Sequence, residues 1–255
     1  MAVVARLAFL GPGALTGPRA LAERNGFRQR SVVNVMSAVG IIGSGNIGGT
    51  VARLAVASGH NVVLSNSRSP DTLEDLIAEL GRQARATTPQ EAASAGDIVL
   101  VSVPVKACPV LSGLPVAGKV VMDTGNYYPA RDGTVSELEA DTVTHSEYLR
   151  RYLPGAEVVK VFNNIFFKHL LNLARPVGAA DRSYLPVAGD TGKAAVIEFL
   201  DSIGYGAVDA GALSEGWRQQ PGTPVYGTPY GPFDDEKGTP AAAETIRSAL
   251  AAATR

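Results

Sequence analysis

Gly43, Gly45 and Gly48, with Ser44, Asn46 and Ile47 between them, spell G-x-G-x-x-G. That spacing can cradle a diphosphate on backbone N–H groups. The first glycine allows a tight turn, the second lets the backbone approach the phosphates, and the third lets a helix pack close to a strand. The phosphates would then face unpaired N–H groups at the positive end of the helix dipole. About twenty residues further on, a carboxylate would bind an unphosphorylated ribose, but this chain offers Asn66, Ser67 and Arg68. A guanidinium there can form charge-assisted bonds to a 2′-phosphate that a carboxylate would repel. Such bonds are worth about 1.5–3 kcal/mol each, so the expectation is NADP over NAD by at least about tenfold.

Ala38–Ile42 is a short apolar run that reads as a buried strand, and Asn46–Ser58 as the helix behind the glycines. Asn61–Leu64 reads as a second strand. Ser69-Pro70-Asp71 opens a helix to Leu80, with Ser69 as N-cap and proline at the first helical position. A third strand is expected near Gln83–Ala86, then a capping box at Thr88-Pro89-Gln90-Glu91. Asp97–Val103 is the continuous apolar run of a strand buried on both faces. Pro104 stops it, so Val103 and Pro104 border the adenosine side of a dinucleotide. Lys119–Asp123 and Glu157–Ile165 read as the fifth and sixth strands. Ligands of open parallel sheets bind beyond the carboxyl ends of strands, so Asn126 and Asn163 are candidates for the nicotinamide side. A plain turn at 124–126 and a backbone-capping Asn163 are equally open readings.

Residues 132–141 read as loop and His145–Leu153 as helix. Beyond residue 178 the same grammar continues with a strand at Ser183–Ala188, a helix at Gly192–Ile203 and a strand at Ala207–Asp209. Pro221–Phe233, with Tyr226 and Tyr230, reads as an extended arm over the body or a partner subunit, and Ala241–Ala253 as a helix. The fold class is therefore α/β: a doubly wound parallel Rossmann sheet over 36–175, and a small C-terminal α/β cap with the arm over 176–255. Residues 1–35, rich in arginine and poor in acids, read as a disordered leader or a start mis-assigned ahead of Met36, with a targeting peptide as the rival reading.

Basic and acidic residues nearly cancel, 23 against 24, which offers nothing to nucleic acid or an anionic membrane. No apolar run reaches the ~18 residues of a membrane span. The single cysteine, Cys108, rules out an internal disulfide and reads as an inert thiol in a cytoplasmic protein. His60, His145 and His169 stand apart from one another, read as surface residues and make no metal site. No nucleophile motif appears, and neither a lysine nor a tyrosine stands out as a general acid. The cofactor would carry the chemistry.

The set Gly43–Gly48, Asn66-Ser67-Arg68, Val103-Pro104, Asp123–Asn126 and Val159–Asn163 resembles the NADPH-dependent F420 reductase family. The likeness runs from about Met36 to Asp209. It implies hydride transfer between NADP(H) and the 5-deazaflavin coenzyme F420, with FMN or FAD as related acceptors. It implies too that Ser44, Ser67 and Arg68 hold the 2′-phosphate and that Gly45–Ile47 carry the pyrophosphate. The expectation is an NADP-dependent oxidoreductase, a homodimer by default, that works by stacking two rings. The alternatives are an NADPH-dependent reductase of a small C=O or C=N substrate, with a pocket acid near Asn163 or in the cap, and a non-catalytic NADP-binding regulator.

Overall fold

The computed structural model describes residues 37–255; the expectations for residues 1–35 lie outside the described residues. β1 (Ala38–Ile42), α1 (Asn46–Ala57) and β2 (Asn61–Ser65) make the opening strand–helix–strand unit. A 3₁₀ turn at Pro70–Leu73, capped by Ser69, leads into α2 (Glu74–Leu80), followed by β3 (Ala84–Ala86). α3 (Pro89–Ala95), β4 (Ile98–Val101) and β5 (Val120–Asp123) come next. α4 (Pro129–Asp132), α5 (Ser136–Glu139) and α6 (His145–Arg150) then lead to β6 (Glu157–Lys160). α7 (Phe167–Asn172), β7 (Tyr184–Gly189), α8 (Lys193–Ser202), β8 (Gly206–Asp209) and α9 (Ala243–Ala251) complete the order.

The strands form one sheet in the order β3-β2-β1-β4-β5-β6-β7-β8. β1 to β6 run parallel, β7 is antiparallel to β6, and β8 is parallel to β7. This is the expected α/β class, and the C-terminal segment expected as a small cap attaches edge-on as two further strands. The described residues lie in one compact unit. Alternate side chains of each central strand enter opposite cores: Ile98, Leu100, Met122 and Val159 on one face, Val99, Val101, Val121 and Val158 on the other. Burial on both faces is what demands near-continuous apolar strands. The strand order reverses at β1, which pairs with β2 on one side and β4 on the other. A crevice opens at the carboxyl ends there.

Several local expectations are corrected. Residues 132–141 are not simply loop, since α4 closes at Asp132 and α5 spans Ser136–Glu139. β6 ends at Lys160 rather than Ile165, because Phe162 takes φ 65° and turns the chain out of the sheet. A bulky residue in that region is strained by about 1–3 kcal/mol. Thr88 caps α3 through Glu91 N–H, but the Glu91 carboxylate takes the Thr87 hydroxyl, so the capping box is half formed. The three histidines are not on the surface: His60, His145 and His169 are all buried. Their rings fill gaps between elements that lie far apart in sequence, which no local pattern announces. The 221–233 arm packs over the body. Val225 and Tyr230 are fully buried, and Tyr230 Oη donates to Tyr184 O at 2.8 Å.

Candidate active site

The glycine loop does what its spacing demands. Gly43 adopts φ 100°, and a Cβ there would stand 2.1 Å from Ser102 O. A Cβ on Gly48 would stand 1.9 Å from Gly43 O, so only glycine lets α1 sit this close to the strand. Around Gly45 the opposite holds: a Cβ there meets nothing within 4 Å. α1 begins at Gly45 without a side-chain cap and with no acid in its first turn. Its first N–H groups are left to an external anion.

Gly43 N donates to Ser65 O at 3.0 Å, which sets the end of β2 beside this loop. Asn66 organises the turn that follows: its Oδ1 accepts from Arg68 N at 2.8 Å, and its Nδ2 donates to Thr72 Oγ1 at 2.8 Å. One amide N–H and one acceptor site of Asn66 thus hold the turn in place. Ser67 and Arg68 are exposed, and the Arg68 guanidinium is in no ion pair among the described residues. A free cation beside an uncapped helix terminus fits a 2′-phosphorylated dinucleotide.

From the loop a cleft of about 560 Å³ runs across the sheet's carboxyl edge. That lies within the ~300–1,000 Å³ usual for small-molecule sites. Gly45, Asn46, Ile47, Val103 and Pro104 line one end, Asn126 and Asn163 the middle. Gly43, Ser44, Gly48, Asn66, Ser67 and Arg68 do not line it. Asn126 and Asn163 bond each other: Asn126 Nδ2 donates to Asn163 O at 2.8 Å, and Asn163 Nδ2 to Asn126 Oδ1 at 3.0 Å and Gln219 O at 2.7 Å. The Asn163 Oδ1 is left without a partner. The far end is aromatic, with Tyr128, Phe166, Phe167, Tyr226 and Phe233, together with Arg131.

Beneath the middle of the cleft lies a buried polar cluster that the sequence reading missed. Asp123 Oδ2 accepts from His145 Nδ1 at 2.9 Å, Ser146 Oγ at 2.6 Å and Lys160 Nζ at 3.1 Å. Asp123 Oδ1 accepts from Gly125 N at 2.8 Å, and Lys160 Nζ donates to Gly125 O. The peptide at Gly125, which lines the cleft, is therefore held at both its polar groups. Burial pushes the Asp123 carboxyl up, but the electrostatic attraction and hydrogen bonds of His145 and Lys160 outweigh it and hold the acid well below the usual range. Burial likewise pulls Lys160 and His145 down, against the attraction of Asp123. One signal was available: Lys160 interrupts the apolar run Val158–Phe162, and a charge inside such a strand needs a buried partner. Cys108 is the inert thiol expected, fully buried and pushed up to about 12, chiefly by burial.

Residues 38–127 match the family described as NADP oxidoreductase, coenzyme F420-dependent. The domain over those residues belongs to this family. The rat metalloreductase STEAP3 is 31% identical over 180 residues, 69% of this chain and 34% of the relative. The chain thus spans about a third of that relative's length. Among solved structures, hypothetical protein SMa0349 from Sinorhizobium meliloti is 27% identical, covering 74% of this chain and 92% of its own, with a TM-score of 0.65. A candidate F420-dependent NADP-reductase from Arthrobacter sp. FB24 is 22% identical over 70% of this chain and 86% of its own, with a TM-score of 0.58; that likeness shows the fold. The F420-dependent NADP oxidoreductase domain carries the glycine loop, the Ser67-Arg68 turn and Asn126. Asn163 and the whole aromatic end come from the chain beyond it. Among the described residues, no helix is long and apolar enough to cross a membrane.

Burial of the histidines in and beside this family domain makes stability depend on pH. The pKa values of His145 and His60 are both lowered by burial from the ordinary 6.5. A depressed folded value means that the unfolded chain binds more protons below about pH 6.5. The stabilisation is therefore complete above that pH and is lost as pH falls. Melting temperature should drop as the buffer is taken from about pH 7.5 to about pH 5, ahead of any carboxylate titration. A flat or rising melting temperature across that window would mean that the folded rings are charged.

Proposed function

We propose that the cleft binds NADP(H) and passes hydride to a planar redox heterocycle, coenzyme F420 or a related flavin. The observation that supports this most is the make-up of the cleft. It leads from an open helix terminus to an aromatic end, and none of its lining residues is an acid. When bound, NADP(H) supplies the hydride at its nicotinamide ring. The backbone of Gly45–Ile47 holds the pyrophosphate, and Ser44, Ser67 and Arg68 hold the 2′-phosphate. Val103 and Pro104 wall the adenosine side, and the buried, unpartnered Asn163 Oδ1 lies beside the middle of the cleft.

The protein's own contribution is placement. The Asp123–Lys160 pair keeps the Gly125 peptide rigid beneath the cleft, and the aromatic end excludes water from the acceptor. The test is to mix protein and NADPH with oxidised F420, FMN or FAD and follow the acceptor's visible band. Bleaching is the expected result, and an unchanged spectrum with all three acceptors would rule the proposal out. Turnover of an aldehyde or imine without any flavin-like partner would establish the carbonyl or imine reductase instead. Tight NADPH binding with no oxidation would establish the regulator.

A further inference from the structure

The aromatic end of the cleft contains a pair of phenols whose hydrogen-bonding capacity exceeds what the protein uses. Tyr128, just past β5, and Tyr226, in the 221–233 arm, bring their hydroxyl oxygens to 2.5 Å. Each phenol carries one O–H and can also accept. Only one of the two protons can lie between the oxygens. Neither hydroxyl has another partner among the described residues, and both residues line the cleft. One O–H is therefore left to donate into the cleft, whichever oxygen carries it.

The surroundings narrow what it would meet. Phe233 is 52% exposed although it lines the cleft, and its ring packs edge-on against Phe166 and Tyr226 at 5.6 and 6.2 Å. That leaves a ring face open beside the spare O–H. Arg131 stacks over Tyr128 at 4.9 Å, and its Nη2 donates to Asn126 O at 2.7 Å. Burial and the bond to Tyr128 push the Tyr226 phenol up, so Tyr226 keeps its proton at neutral pH.

We infer that Tyr128 and Tyr226 together form the polar anchor of the hydride acceptor, with Phe233 as its stacking face. The acceptor is then a flat heteroaromatic that turns a carbonyl or ring-nitrogen edge toward the two phenols. This inference rests on the proposed hydride transfer, and it assigns acceptor specificity to residues outside the family domain matched over 38–127, Tyr128 lying immediately after it.

Shared anchoring has a signature that a structural tie lacks. With the oxygens this close, either hydroxyl alone can still donate to the ligand, so Tyr128→Phe and Tyr226→Phe should each raise the acceptor KM by no more than about threefold. The double variant has no donor left and should raise it about tenfold, the upper value for a neutral hydrogen bond. Phe233→Ala should raise it about two- to tenfold through lost ring contact. The same order should appear in FMN and F420 fluorescence quenching without NADPH, while NADPH titration stays unchanged. If the pair only ties the arm to the body, either single variant loses everything and the double adds nothing; that pattern overturns the inference. So does a double variant equal to wild type, or a loss confined to NADPH binding. Absence of acceptor reduction by the wild type would instead defeat the proposed function itself, and the anchor with it.

Discussion

Replacing Lys160 with methionine should cost the folded protein about 3–5 kcal/mol, the usual penalty for stripping one partner from a buried ion pair. Asp123 and Lys160 each expose 1% of their side chains, so neither charge can turn to water. Methionine fills the lysine's space but leaves the Asp123 carboxylate with only His145, Ser146 and Gly125 N as donors. Out of a total stability of roughly 5–15 kcal/mol, that loss is a large share. Urea denaturation would measure it. The diagnostic comparison is the Asp123→Asn/Lys160→Met double variant, which leaves no buried charge and should be more stable than Lys160→Met alone. A single variant within about 1 kcal/mol of wild type would mean that Lys160 carries no charge in the fold.

Arg68→Glu should weaken NADPH binding by about 10–100-fold, the worth of one charge-assisted bond. It should also improve NADH, since a carboxylate at this place can accept from a free ribose hydroxyl. The fold should hardly notice, because Arg68 is exposed and in no ion pair among the described residues, and such surface changes stay within about 0.5 kcal/mol. Fluorescence titration with both nucleotides at low salt is the measurement, since salt would mask the contact. Unchanged NADPH affinity with no gain for NADH would show that Arg68 does not meet the 2′-phosphate.

The two variants probe parts of the site that were unequally visible beforehand. The glycine loop was readable because each glycine answers a constraint set by its neighbours: Gly43 by its φ of 100°, Gly48 by the Gly43 carbonyl, which a Cβ there would meet at 1.9 Å. The parallel strands were readable because burial on both faces leaves an unbroken apolar run. Asn66 was expected to meet the cofactor, and the short turn it builds with Arg68 and Thr72 was invisible in residue type. Asn126 and Asn163 were placed at the right strand ends, yet their bonds to each other decide which amide atoms remain for a ligand.

The remainder depended on meetings between distant parts of the chain. Asp123, His145 and Lys160 come together across 15 to 37 residues, and Tyr128 meets Tyr226 across 98. Taken alone, the amino-acid order determined the α/β class and the glycine turn between β1 and α1, because those follow from spacing within one strand–turn–helix and from unbroken apolar runs. Tertiary structure alone decided that three histidines are buried, that a lysine in a strand neutralises an aspartate under the cleft, and that a C-terminal arm walls its far end. The physical reason is range. Backbone sterics and hydrophobic period act over a few residues, whereas the pairing of a buried charge or phenol depends on whatever the fold carries to its side.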